Sequence, residues 1–306
     1  MTARRHLLLA AALGLGASAP ARAQTAWRTR FPTVGFGILS VESQGATTTR
    51  FGGFPAYFRE KLGVECRIFQ ATDYAGVVQA LTAGQIPMAR LGPASYASAW
   101  IDSNGAVEPF VTWTAPTGQA GYYSVLIVRA DSPARTVEDL RGKTLAWADP
   151  NSTSGYLVPV ATFRGMNIDP ARHFSRTVFS GGHEQSVLGV LNGNYDAAFT
   201  WTADDDAFGQ LRMMIDRGLL QRDRIRVILQ SPLIPNPPIT VRKDMPADMK
   251  ADLRAFFLNM AADNMEMAEA VAAGRTTGFI AATEEMYRPI VEVAQIQREQ
   301  RRRQRG

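Results

Sequence analysis

The chain holds one cysteine, three histidines and no apolar run long enough to cross a bilayer. Each scarcity excludes something. A single thiol, Cys66, cannot form an internal disulfide, and its place in the apolar run 64–69 predicts a buried, inert side chain. His6 falls in the leader described below, which leaves only His173 and His183, too few for a histidine-rich metal centre. A spanning helix needs about 20 consecutive apolar residues, and no segment reaches that. Gly142-Lys143-Thr144 ends like a phosphate loop, but Val137 stands where its first glycine belongs. His183-Glu184 lacks a second histidine at zinc-protease spacing, and no G-x-S-x-G nucleophile elbow occurs. No enzyme is expected, and neither a metal nor a cofactor.

Positive charge is less abundant than it looks. The formal net charge is +5. Residues 1–23 carry Arg4, Arg5 and Arg22 with no acid, so their removal leaves +2. The last nine residues set Arg298, Arg301, Arg302, Arg303 and Arg305 against Glu299, which leaves about −2 for the body. Such an end is solvated, and elsewhere basic residues do not interleave with aromatics, so nucleic acid is not an expected partner.

What is present begins with that leader. Arg4-Arg5, an apolar stretch over 7–15 and Ala21-Arg22-Ala23 form an export signal cleaved after Ala23. Residues 2–8 also have a twin-arginine form, so the general (Sec) and twin-arginine (Tat) export routes both stay open. No cysteine follows the cleavage site, which argues against a lipid anchor. The mature chain is expected to be soluble outside the cytoplasm and not embedded in the membrane.

About 280 mature residues make one large domain or two lobes. Short apolar runs at 34–39, 65–70, 88–91, 107–113, 123–128, 143–148, 176–179, 197–200, 225–229 and 239–241 read as strands. Between them lie helical patterns at 51–62, 74–83, 95–102, 137–140, 156–165, 184–191 and 206–217. The alternation predicts an α/β fold with parallel sheets. Residues 247–273 and 284–302 read as two long closing helices with no strand between them. Two segments are suited to carry the chain between lobes: 118–123, and 231–238 with its four prolines in extended backbone. The lobes would then be 24–120 plus 236–306, and 121–235, with a ligand cleft between them.

The most informative stretch is Asp149-Pro-Asn-Ser-Thr-Ser-Gly-Tyr156, set between an apolar strand pattern and a helical one. Backbone N–H groups at a helix start and three hydroxyls, Ser152, Thr153 and Ser154, suit an oxyanion cradle. An ordinary helix cap is the other reading, although one hydroxyl satisfies a cap. Gly181-Gly182-His183-Glu184 likewise places His183 at a helix start, as a surface cap or as a hydrogen-bond donor to an anion, doubly so when protonated.

Further strings occur in order: Phe36-Gly-Ile-Leu-Ser-Val-Glu-Ser-Gln44, Asp73-Tyr-Ala-Gly76, Tyr122-Tyr-Ser-Val-Leu-Ile-Val128 and Ser231-Pro-Leu-Ile-Pro235. With the cradle and the Gly182-His183-Glu184 string they resemble the substrate-binding proteins of phosphonate ABC transporters, over about residues 34–260. The resemblance implies a type II two-lobe periplasmic-binding-protein fold with two crossovers and C-terminal helices, closing on its ligand like a jaw. It implies that Ser152, Thr153 and Ser154, with Gly155, hold phosphonate oxygens, and hydroxyl and amide donors with one histidine can do so without a lysine or arginine clamp. It adds His183 from the second lobe and Tyr74 and Ser40 from the first.

Three positions depart from the family. Leu91 stands where a ligand-contacting tyrosine is common, and Tyr96 one turn on is the substitute. Ala203 and Pro237 stand where acidic residues meet the ammonium of aminoethylphosphonate, with Asp204 or Asp205 as replacements for one of them. The resemblance thus implies a periplasmic, monomeric protein that captures a phosphonate, phosphite or phosphate for an ABC permease, with aminoethylphosphonate disfavoured. A sulfonate binder, a sensor component and a secreted phosphoester hydrolase are the alternatives.

Overall fold

A computed structural model describes residues 26–39 and 41–303. The predicted leader with its cleavage site, and Ser40, lie outside the described residues. Twelve strands are present among them: β1 (Thr33–Ile38), β2 (Glu65–Gln70), β3 (Met88–Arg90), β4 (Val107–Thr114), β5 (Gly121–Arg129), β6 (Thr144–Trp147), β7 (Arg176–Phe179), β8 (Ala197–Thr202), β9 (Ile225–Gln230), β10 (Ile234–Pro235), β11 (Ile239–Arg242) and β12 (Gly278–Ala281). They form two sheets, ordered β12-β4-β11-β3-β1-β2 and β10-β5-β8-β6-β7, with β9 also on β5.

The chain leaves the first sheet after β4 and enters the second at β5, past Gly118 at φ 82°. It returns through the proline-rich segment, where β10 pairs with the start of β5 before β11 rejoins the first sheet. Contrary to expectation, neither sheet is parallel throughout. β1 runs parallel to β2 and β3, and β6 parallel to β7 and β8. The strands beside each crossing run the other way: β11 opposes β3 and β4, and β5 opposes β8 and β9. A strand arriving from the other sheet enters from the far end, so its direction follows from the crossing rather than from a helical return.

The expected pair of closing helices is also corrected. The first is broken into Ala247–Asp263 and Met265–Ala272, because Asn264 is extended (φ −155°, ψ 91°) and its Oδ1 caps Met267 N at 3.1 Å. A strand, β12, then lies before the last helix, Glu284–Arg303, and pairs antiparallel with β4. The expected helix over 51–62 begins only at Phe54 and runs to Leu62, and a separate helix, Gln44–Arg50, which was not expected, precedes it across Phe51-Gly52-Gly53.

One core packs around the first sheet, and two more cover the faces of the second. The first core also takes in Tyr122, Trp201, Phe208 and Met213 from the second sheet's side, so apolar packing crosses between the halves. Cys66 is buried, and burial pushes its pKa up to about 12, so no thiolate forms near neutrality. The last helix joins Ile290 to Ala94, Ala97 and Leu157, and Gln297 Nε2 donates to Leu157 O at 3.4 Å. Among the described residues no helix is long and apolar enough to cross a membrane.

Candidate ligand-binding site

The cradle forms where β6 runs out. Asp149 O accepts from Ser152 N at 2.9 Å, and Asp149 Oδ1 from Asn151 N at 2.6 Å, which turns the chain sharply. Ser152 then caps the turn, its Oγ accepting from Gly155 N at 3.0 Å. Thr153–Leu157 is wound as a single wide π turn, closed by Leu157 N donating to Ser152 O at 3.0 Å, before the regular helix Val158–Gly165. Such turns widen the helix start and cluster at functional sites. Gly155 is fixed by space: a Cβ there would lie 2.4 Å from Ala148 Cβ and 3.0 Å from His183 Cε1.

Ser152, Thr153 and Ser154 line a small cavity of about 30 Å³ between the sheets. His183, Tyr122 and Trp201 complete that wall; Leu39, Val41, Tyr74, Arg90 and Gly92 face it from the first sheet, and Pro237 from the return crossing. A water needs roughly 10–15 Å³ by such a measure, so the space holds a compact group of a few heavy atoms. A larger recess of about 240 Å³ lies behind the cradle, against Pro150, Leu157 and Arg298. Chemistry rather than size singles out the smaller one. Three buried polar atoms without a protein partner belong to its lining residues: the Tyr74 hydroxyl, Arg90 Nη2 and His183 Nδ1. Buried polar groups are normally hydrogen-bonded, so three orphans around one space mark a polar ligand's place.

The structure brings Ser152, Thr153, Ser154, His183 and Tyr74 to one cavity, with Gly155 directly behind. Leu91 and Tyr96 lie outside its wall. Leu91 is fully buried in the first core, and Tyr96 packs edge-on against Tyr287 with ring centroids 5.4 Å apart. Ala203 is buried in the first core and is not part of the lining, while Asp204 and Asp205 are exposed to solvent. Sequence reading missed Arg90, Tyr122 and Trp201. The signal for Arg90 was available: one charged residue in the apolar run Met88-Ala-Arg-Leu91 has to be paired or functional.

Arg90 brings a cation to a lining for which none was expected. Its guanidinium is 2% exposed, stacks on Trp113 at 4.6 Å, and donates from Nε to Val271 O at 2.7 Å. Burial lowers its pKa to about 9, which leaves it charged at neutral pH. Histidine departs from expectation in the other sense. Burial lowers the His183 pKa to about 3, so the ring is neutral and offers one donor rather than two. Its Nε2 lies 3.0 Å from Ser152 Oγ. Burial raises the Tyr122 phenol to about 12, against hydrogen bonding by Thr153 and Ser154; burial and the Asp149 charge likewise raise Tyr74 well above the ordinary phenol value, against Arg90 and Ser152. Both phenols stay protonated and can donate. Among the described lining residues there is no carboxylate. The wall is a set of neutral donors around one cation.

Contacts between the two sheets' surroundings hold this wall shut. Thr153 Oγ1 accepts from Ala94 N at 2.8 Å, at the start of helix Pro93–Asp102, and Ser95 Oγ donates to Asn151 O at 3.0 Å. Glu184 N donates to Val41 O at 3.3 Å. Arg217 Nη1 lies 2.5 Å from Glu184 Oε2 and 3.6 Å from Glu42 Oε2, and Arg50 pairs with the same buried Glu42.

Two mixed sheets, two crossings and an anion-sized cavity between them define a two-lobe type II periplasmic-binding fold. The chain belongs to the phosphonate-binding family of periplasmic substrate-binding proteins of ABC transporters, whose model matches residues 36–287. It is 37% identical over 228 residues to the Escherichia coli phosphonates-binding periplasmic protein, covering 73% of this chain and 65% of that protein. A Mycolicibacterium smegmatis phosphate-import protein is 31% identical over 215 residues, covering 67% of this chain and 64% of its own length. The matches thus span just under two thirds of these relatives. A crystal structure of a binding-protein component of an ABC phosphonate transporter from Pseudomonas aeruginosa superposes with TM-score 0.74 at 31% identity, covering 86% of this chain and 85% of the other. The fold is shared also with a Prochlorococcus marinus protein, at TM-score 0.73 and 17% identity over 87% of this chain and 98% of that one.

Proposed function

We propose that this protein is exported, is cut after Ala23, and captures a phosphonate-like oxyanion in the periplasm for delivery to an ABC permease. The mature protein acts as a monomer of two lobes, 24–120 plus 236–306 and 121–235. One observation carries the reading: Ser152, Thr153 and Ser154 share a cavity with Tyr74 and Arg90, whose hydroxyl and Nη2 lack a protein partner, and no carboxylate lines it among the described residues. An oxyanion supplies the acceptors that these donors lack. Family membership and the Escherichia coli and Mycolicibacterium smegmatis relatives, named for phosphonates and phosphate, support the same class.

A hydrolytic reading has one observation in its favour, the 3.0 Å contact of Ser152 Oγ with His183 Nε2, which resembles a nucleophile–base pair. The pair is poorly suited to turnover. A histidine held near pKa 3 is a weak base, its Nδ1 has no orienting partner, and Ser152 Oγ already accepts from Gly155 N. Holding is the better use of the same atoms.

Calorimetry of the mature protein with methylphosphonate, phosphite and phosphate tests the reading, beside a phosphoester turnover assay. Binding of at least one anion, with a raised melting temperature and no turnover, is expected. Absence of heat with all three would sink it.

A further inference from the structure

We infer that Arg90 is the ligand's charge partner, and that with the confined cavity it selects a small tetrahedral oxyanion lacking a cationic substituent. The inference rests on the binding function proposed above and deepens it. Arg90 ends β3 at the cavity wall, fully buried, and its remaining polar groups are only partly used. Nε is spent on Val271 O at 2.7 Å, and one guanidinium face on Trp113 at 4.6 Å. These two contacts fix the plane of the fork and leave Nη2 without a partner. A buried, preorganised guanidinium with a free N–H is the donor best matched to an oxyanion, and it is charged at neutral pH.

The surroundings sharpen what the oxyanion carries. Buried Glu42 acts on Arg90 electrostatically, but Glu42 is already paired with Arg50, which repels Arg90. No carboxylate lines the cavity among the described residues, so a ligand oxyanion is the group that can meet the free Nη2 directly. An ammonium group on the ligand would find the opposite: one cation and no acid. Trp201, Leu39, Val41 and Pro237 close the remaining walls with apolar surface. An aminoethyl arm adds three heavy atoms and a charge to the tetrahedral head group, so it makes the larger demand on a space of about 30 Å³.

The test has two arms. In the first, calorimetry compares phosphite, methylphosphonate and phosphate with 2-aminoethylphosphonate on the unaltered mature protein. The small anions should bind at least 100-fold more tightly than the aminoethyl compound, by analogy with other buried charge mismatches. In the second, Arg90→Met keeps the side chain's bulk and removes its charge, and should cost about 100-fold in affinity for the preferred small anion. Arg90→Lys should recover at least ten-fold of that loss, which a purely packing role would not produce. Aminoethylphosphonate binding as tightly as the small anions, Arg90→Met within three-fold of the unaltered protein, or Arg90→Lys no better than Arg90→Met would each overturn the inference. If Arg90→Met does not fold, shown by circular dichroism, the ligand panel and Arg90→Lys decide alone. A panel in which no anion binds removes the proposed function as well, and is thereby told apart from a failure of Arg90.

Discussion

The two walls of the cavity are built on opposite plans. On the second sheet's side, three consecutive residues of one turn supply short hydroxyls, and backbone geometry aims them. On the first sheet's side, long side chains from separate elements reach in: Tyr74 from a helix start and Arg90 from a strand end. The first plan fixes direction with little side-chain entropy to lose, because the turn is already ordered. The second supplies charge and reach, and depends on supports such as Val271 O and Trp113 to hold a flexible guanidinium still. A site that combines them has its geometry on one lobe and its charge on the other.

This comparison can be broken experimentally, beginning with the Arg90 variants already described, where the largest loss is expected. Gly155→Ala attacks the opposite wall through space alone. Its new methyl meets Ala148, Ser152 Oγ and His183, so overpacking of about 1–3 kcal/mol should appear as a lowered melting temperature together with lost affinity. Normal stability and binding would show that the turn gives way more easily than its contacts imply. Ser152→Ala and Ser154→Ala should each weaken ligand binding about ten-fold or more, equivalent to one charge-assisted hydrogen bond. Unchanged affinity in both would leave the charge wall to act without its geometric partner.

A smaller effect concerns pH. His183 has a folded pKa of about 3 against an ordinary 6.5, so between these values the unfolded chain takes up a proton that the folded protein refuses. The neutral ring's contribution is therefore fully present above pH 6.5 and is lost as pH falls toward 3, at up to about 1.4 kcal/mol per pH unit. Denaturation midpoints at pH 7, 6, 5 and 4 should fall more steeply for the unaltered protein than for His183→Asn. Equal slopes would mean that His183 already carries a proton when folded. Smallest of all, Arg217→Met should reduce affinity about three- to ten-fold without touching the cavity, since it unties Glu184 and Glu42 across the lobes. Identical affinity would show that this ion pair is incidental to closure.

The same asymmetry decides how much was legible in the sequence. The hydroxyl wall is contiguous, so Asp149 to Gly155 announces itself as a string, and the glycine pair before His183 does likewise. Arg90 belongs to no string. Its role appears only when β3 lies between β1 and β11 and places the strand's end beside β5's Tyr122. Tyr96 shows the converse: one turn from Gly92 along a helix points it at Tyr287 rather than at the ligand space. The alternation of strands and helices was readable, but strand direction at the crossings was not, because it depends on which lobe the chain arrives from. β12 is four residues long and Asn264 interrupts an otherwise helical pattern by one dihedral pair, both below what periodicity resolves.

The bond from Ala94 N to Thr153 Oγ1 has a further meaning. It commits a cradle hydroxyl to the opposite lobe, so the complete site exists only in the shut population. The dissociation constant measured in solution is then the intrinsic one divided by the fraction of molecules that are shut. Changes at Glu42, Glu184 and Arg217, which lie outside the cavity lining, can move that fraction and so set the measured affinity while leaving the lining unchanged.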